Sequence, residues 1–164
     1  MHIRPTTPAD LEAIMPIFDF ARGIMRATGN YQQWTGGYPS RELLLEDIRL
    51  KQSYVCVNDD GDLLATFCFF IGVDSTYSYI ENGEWLNDLP YGVVHRLATN
   101  GKQKGMGVFC MDWCFEKCQN IRVDTHYDNV VMQSIFLKMG FESCGTIYLA
   151  NGDKRQAFHK TKQY

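Results

Sequence analysis

Apolar residues recur along this chain with two periods, and the switches between them mark its elements. Leu11, Ile14, Met15 and Phe18 repeat at helical spacing. Thr7 before them suits a helix cap, Pro8 the first helical position, and Asp10 completes a capping box. Pro16 falls inside this helix and predicts a kink, and Gly29 is the expected stop. Ser40 opens a second helix, "SRELLLEDIRLKQ". Strands are predicted at 2–5, in "SYVCV", and, after the turn "NDDGD", in the long apolar run "LLATFCFFIGV". The next stretch, "DSTYSYIENGEWLNDLP", has neither period and stays unassigned. "YGVVHRLA" reads as a strand, 106–119 as a helix, "NIRVDTH" as a strand and "DNVVMQSIFLKMGF" as a helix. "CGTIYLA" and "RQAFHK" close the chain as a hairpin. The order β-α-α-β-β-β-α-β-α-β-β is a mixed α/β pattern, with strand–helix–strand units confined to the second half.

Composition narrows the function classes. A chain of 164 residues, 45% hydrophobic and 21% charged, suits one globular domain, 1–164. The net charge of −3 and pI near 5.8 argue against nucleic acid as a main partner. No apolar run reaches membrane-spanning length, and "MHIRPTTPADLEAIM" lacks the apolar core of a signal peptide, so the expected location is cytoplasmic. None of the six cysteines forms a C-x-x-C pair. Cys110, Cys114 and Cys118 share one helix face, where they serve as small apolar residues and no metal is expected.

The candidate chemistry begins at "RLATNGKQKGMGVFCMDWC", 96–114. It joins a strand to a helix N-terminus, whose unpaired N–H groups attract anions. Gly105 and Gly107 let a ligand approach bare backbone, and Lys102 and Lys104 add mobile positive charge. The combination suits a pyrophosphate. No G-K-[ST] follows and G-x-G-x-x-G is absent, so it is neither a P-loop nor a dinucleotide fingerprint.

"KQKGMG" at 102–107 resembles the [QR]-x-x-G-x-[GA] loop of the GNAT N-acetyltransferase superfamily. "IRPTTPADLEAIMPIF", "HRLAT" and "DNVVMQSIFLKMGF" resemble that superfamily's opening strand and helix, its central strand and its late helix, in the same order. The resemblance implies a mostly antiparallel twisted sheet of six to seven strands, with splayed central strands and about four flanking helices. It implies acetyl-CoA as co-substrate, a primary amine of a small molecule or peptide as acceptor, and a monomer or homodimer. Lys102, Gln103, Lys104, Gly105, Met106, Gly107 and Val108 would hold the pyrophosphate. The backbone of Leu97, Ala98 and Thr99 would pair with the pantetheine arm like an added strand. Asn129 resembles an asparagine that bonds near this arm, and its residue type equally suits a helix N-cap. Two departures stand out. Lys102 replaces the usual Gln or Arg, giving a point charge for a planar fork. Phe136 lies beside the cofactor, where many members carry a tyrosine thought to protonate the leaving thiolate.

A thiol of pKa ~8.5 leaves tolerably as an anion without an acid, and supplying a neutral amine is a comparable problem for a lysine-type acceptor. Such an amine, at pKa ~10.4, is only about one part in two thousand neutral at pH 7. An α-amine near ~7.8 is neutral roughly one time in seven, so the acceptor decides how much a base is needed. His95, on the strand leading into the loop, is the candidate, its other reading being a half-buried histidine satisfied by a carboxylate. Strict alternation would put Val93, His95 and Leu97 on one face and Val94, Arg96 and Ala98 on the other. Asp124 and His126 form a second polar cluster. "YQQWTGGYPS" joins the first two helices, where Trp34 and Tyr38 could stack on an acceptor or Trp34 could plug the core edge. Trp85, Tyr77 and Tyr79, with Glu81 and Glu84, offer a second acceptor wall. Phe136 also leaves room for a non-catalytic acyl-CoA-binding or sensor module.

Overall fold

The computed structural model describes residues 1–162. Seven strands form one sheet in the order β1-β2-β3-β4-β5-β7-β6. They are β1 (His2–Pro5), β2 (Ser53–Val57), β3 (Leu63–Ile71), β4 (Gly92–Thr99), β5 (Asn120–Thr125), β6 (Glu142–Tyr148) and β7 (Lys154–Thr161). The helices are α1 (Leu11–Ala27), α2 (Arg41–Arg49), α3 (Met106–Lys117) and α4 (Val130–Lys138). Short 3₁₀ turns lie at Pro8–Asp10 and Ser75–Tyr77.

The local signals work as chemistry dictates. The capping box at Thr7 and Asp10 is made, and Arg4 clamps the same carboxylate. Ser40 accepts the Leu43 amide at the start of α2. After α1 the chain closes with paired bonds, Asn30 N to Met25 O and Gly29 N to Arg26 O, with Gly29 at φ +88°.

All strand pairs are antiparallel except β4 with β5. That parallel pair is registered only at Gly92↔Ile121 and Val93↔Arg122. Past Val93 the two strands part, leaving backbone polar groups on each facing edge without a strand partner. A bulge sits in β4 just beyond this point: Cys68 pairs with His95 and Thr66 with Ala98, so β4 carries one residue more than β3. Arg96 takes the strain at φ +53°.

The bulge overturns the alternation expected from sequence. Leu97 packs with Val94 against the α3 side of the sheet, not with Val93 and His95. Arg96 instead reaches Asp47 on α2. Apolar side chains fill both faces. Phe67, Phe69, Val123 and Phe158 meet Met106, Cys110 and Met111 of α3 and Phe136 of α4 on one side. Val55, Val57 and Ala98 meet Ile14, Phe18 and Leu44 of α1 and α2 on the other. Burial pushes the Cys110 and Cys114 thiols well up, which keeps them protonated and apolar in character. Among the described residues no helix is long and apolar enough to cross a membrane.

Candidate active site

The parting of β4 and β5 opens a cleft of about 490 Å³ that passes through the sheet. On the α3–α4 side its walls are apolar: Val94, Leu97, Met111, Val123, Met132 and Phe136. On the α1–α2 side they are polar and aromatic, with Trp34, Asp74, His95 and Asp124 among them. One mouth suits a long flexible arm and the other a polar acceptor.

Ahead of α3 the chain from 101 to 105 is exposed. Gly105 caps α3 in the left-handed conformation at φ +79°, and a Cβ there would meet nothing within 4 Å. The Phe109 amide is bonded back to Gly105 O, so the amides of the turn before it point outward from the helix end. The side chains of Lys102, Gln103 and Lys104 are exposed and leave this turn open, Met106 is buried, and Val108 stands at the rim. Asn129 caps α4 by accepting the Met132 amide at 3.0 Å. Its Nδ2 donates to Gln33 at 3.0 Å, tying α4 to the loop after α1 across the cleft. Phe136 is buried between Phe141 and Phe158 and offers no proton.

The centre of the cleft holds a histidine between two carboxylates. His95 Nε2 lies 2.6 Å from Asp74 Oδ2, and His95 Nδ1 lies 3.9 Å from Asp124 Oδ1. Burial alone would raise the Asp74 pKa, but the hydrogen bonds from His95 and Thr76 outweigh it and hold the carboxyl at about 2. An ionised Asp74 only accepts, so Nε2 carries a hydrogen, and in the neutral form of the ring the lone pair sits on Nδ1, facing Asp124. Tyr77 donates to Asp124 Oδ1 at 2.5 Å. Complete burial, reinforced by the Asp124 charge, pushes the Tyr77 phenol far up and keeps it a donor. The 3.9 Å gap is too long for a direct bond and leaves a lone pair opposite a carboxylate. An ammonium group answers both at once.

Beside this cluster, Arg96 makes a bidentate pair with Asp47, at 2.8 Å through both Nε and Nη2, and donates to Tyr38 Oη at 3.1 Å. The aromatic loop is pinned from behind: Arg26 donates to the carbonyls of Asn30, Gln33 and Trp34. Trp34 lies edge-on to Phe18, with centroids 5.7 Å apart, so it both seals the core edge and lines the cleft.

The structure thus gathers His95, Leu97, Trp34, Tyr38, Asn129 and Phe136 on one cleft, while the glycine loop leads into α3 and is not part of its lining. Ala98 is turned to the α1–α2 core and Thr99 ends the strand, so only their backbone faces this region. Four residues expected in the second acceptor wall lie elsewhere. Trp85 is folded behind the cleft, donating to Tyr77 O at 3.0 Å and packing on His159, because its indole fills the core under the 3₁₀ turn. Glu84 is exposed beyond it and lines no part of the cleft. Tyr79 and Glu81 engage Tyr148 on β6. Asp74 escaped the sequence reading because its segment has no period. Its one signal, the Asp-Ser-Thr of an Asx turn, is realised as Thr76 N donating to Asp74 Oδ1.

Comparison with protein-family models returns no match, and comparison with curated proteins returns none either. Solved structures do match. A GNAT-family acetyltransferase from Streptococcus agalactiae 2603 superposes with a TM-score of 0.88 at 32% identity, over 99% of this chain and 96% of that one. A GNAT-family acetyltransferase from Listeria monocytogenes 4b F2365 gives 0.71 at 15% identity, over 97% and 93%. A ribosomal-protein-alanine N-acetyltransferase from Brucella melitensis gives 0.66 at 14% identity, over 99% and 100%. The last two share the fold. With the first relative, the open glycine loop and the parted central strands, the chain belongs to the GNAT family of acetyltransferases.

Proposed function

We propose that this protein transfers the acetyl group of acetyl-CoA to a primary amine of a small molecule or peptide by direct attack. One observation carries the reading: His95, held by Asp74, presents its free Nδ1 to Asp124 across 3.9 Å where the central strands part. Acetyl-CoA suits the apolar mouth. The outward amides at 106–108 and the Lys102 and Lys104 charges match a diphosphate. The unpaired strand edges past Val93 match the amides of the pantetheine arm. When bound, it supplies an acetyl thioester whose carbonyl carbon accepts the amine as the C–S bond breaks.

The residues do the rest. Asp124 holds the incoming ammonium and Nδ1 of His95 takes its proton, while Asp74 stabilises the imidazolium that results. The new C–N bond then forms at the expense of the C–S bond, the electron pair leaves on sulfur, and the second proton of the nitrogen passes to that thiolate, giving the free thiol. Phe136 offers no acid, and a thiol of pKa ~8.5 needs none to leave. Trp34 and Tyr38 wall the acceptor side and limit water there. Asn129 holds the end of α4 against the acceptor loop, which keeps both mouths aligned.

Free-thiol release on mixing the protein with acetyl-CoA and a panel of primary amines tests this. Thiol release that depends on amine supports transfer. CoA binding with no release across the panel would favour the sensor reading that Phe136 suggests.

A further inference from the structure

Arg155 on β7 is 7% exposed and lines the acceptor side of the cleft and the adjoining hollow. Its guanidinium makes one side-chain bond, Nη1 to the Lys154 carbonyl at 2.9 Å, and no carboxylate among the described residues reaches ion-pair distance. Two other arginines withdrawn from solvent, the half-buried Arg96 and the buried Arg122, are different. Arg96 has Asp47 and Tyr38. Arg122 is sandwiched on Trp85 and Tyr91, at 4.5 and 4.1 Å, and donates to Asn87 O. A buried cation without a counter-charge is costly unless a ligand supplies one. The remaining N–H groups of Arg155 are not buried orphans, so they reach the open space of the cleft or of the adjoining hollow.

Its field is felt nearby. His126 is lowered first by burial and next by the Arg155 charge, against Asp128 and Asp153. Asp153, the nearest acidic candidate in sequence, is engaged by Asn151 instead.

The register sets the spacing. Asp124 pairs with Ala157 and Ile147 with Arg155, so Asp124 and Arg155 present side chains to one face. Arg155 lies two positions along β7 from Ala157, the partner of Asp124, roughly 7 Å along the strand. That is the length of a small molecule.

We propose that Arg155 is an anion subsite, and that the acceptor is an amino-acid-like zwitterion. Its ammonium lies at Asp124 and His95, and its carboxylate lies on the Arg155 guanidinium. This rests on the acetyl-transfer reading for the position of the amine. The planar fork of Arg155 matches a carboxylate in two parallel bonds. The aromatic pair Trp34 and Tyr38 is left for the acceptor's side chain.

The test is calorimetric titration of the CoA-loaded protein with N-acetylleucine and N-acetylphenylalanine, each against its uncharged primary amide. The acid binds about tenfold to a hundredfold more tightly than the amide. Arg155→Met removes that difference, Arg155→Lys restores part of it, and added salt weakens the acid alone. Equal binding of acid and amide, binding of neither, or a preference that survives in Arg155→Met overturns the subsite. If Arg155→Met no longer binds CoA, the wild-type comparison and Arg155→Lys decide. Thiol release with leucine, phenylalanine and their amides runs in parallel. An acid preference in binding with no thiol release sinks the transfer reading and leaves the subsite standing. Thiol release from the amino amides, with acid and amide products bound alike, does the reverse.

Discussion

Asp74→Asn exchanges one carboxylate oxygen for an amide and keeps the shape of the contact with His95. Two consequences follow, one for stability and one for rate. The carboxyl sits at about 2 in the fold against an ordinary 3.8, with 14% of its side chain exposed. That interval corresponds to about 2 kcal/mol of folding free energy. A lowered carboxylate stabilises the fold above its unfolded pKa and loses that contribution as pH falls through the folded one. Wild type should therefore exceed the variant by about 2 kcal/mol at pH 7, and the two should converge between pH ~4 and ~2. For the rate, asparagine can donate to Nε2 and so move the imidazole hydrogen to Nδ1. The lone pair then turns away from Asp124 and the base is lost, at a cost of about 10²- to 10⁴-fold in kcat/KM. Urea unfolding across pH measures the first effect, and thiol release with a primary amine the second. A variant that keeps kcat/KM within about threefold of wild type would refute the assignment of Nδ1 as the proton acceptor.

Gly105→Asp should weaken CoA by about a hundredfold in calorimetry, because it sets a negative charge at the helix end where phosphate is expected. Arg96→Met leaves Asp47 buried at 7% exposure without its partner and should cost about 3–5 kcal/mol, most of it recovered in the double variant with Asp47→Leu. Gly83→Ala places a Cβ 1.8 Å from the Cys144 carbonyl oxygen. It should destabilise by about 3 kcal/mol or more in urea unfolding, and it should lower thiol release by loosening the segment that carries Asp74.

How much of this could be read beforehand differs from element to element. Local chemistry was legible: the Thr7–Asp10 box, the Ser40 cap and the stop at Gly29 each act within a few residues. The element order followed from periodicity for the same reason. The bulge was hidden, since a left-handed Arg96 has no compositional mark and is held by Asp47, 49 residues away. It reassigned Leu97 and gave the arginine to α2. Trp34 and Trp85 look alike in sequence, both in polar aromatic loops. Only packing separates them, one on the cleft beside Phe18 and the other under Tyr77. His95 stands out by residue type and strand position alone. Its partners Asp74 and Asp124 lie 21 and 29 positions away, joined by the sheet and not by any local pattern.

In the proposed mechanism His95 accepts the proton of the attacking amine. The pH dependence of kcat/KM in wild type and His95→Gln tests it most directly. The account predicts that His95→Gln loses at least about a hundredfold at pH 7 and that its remaining rate climbs tenfold per pH unit, as expected when only hydroxide removes the proton. A His95→Gln profile that superimposes on wild type would contradict the account.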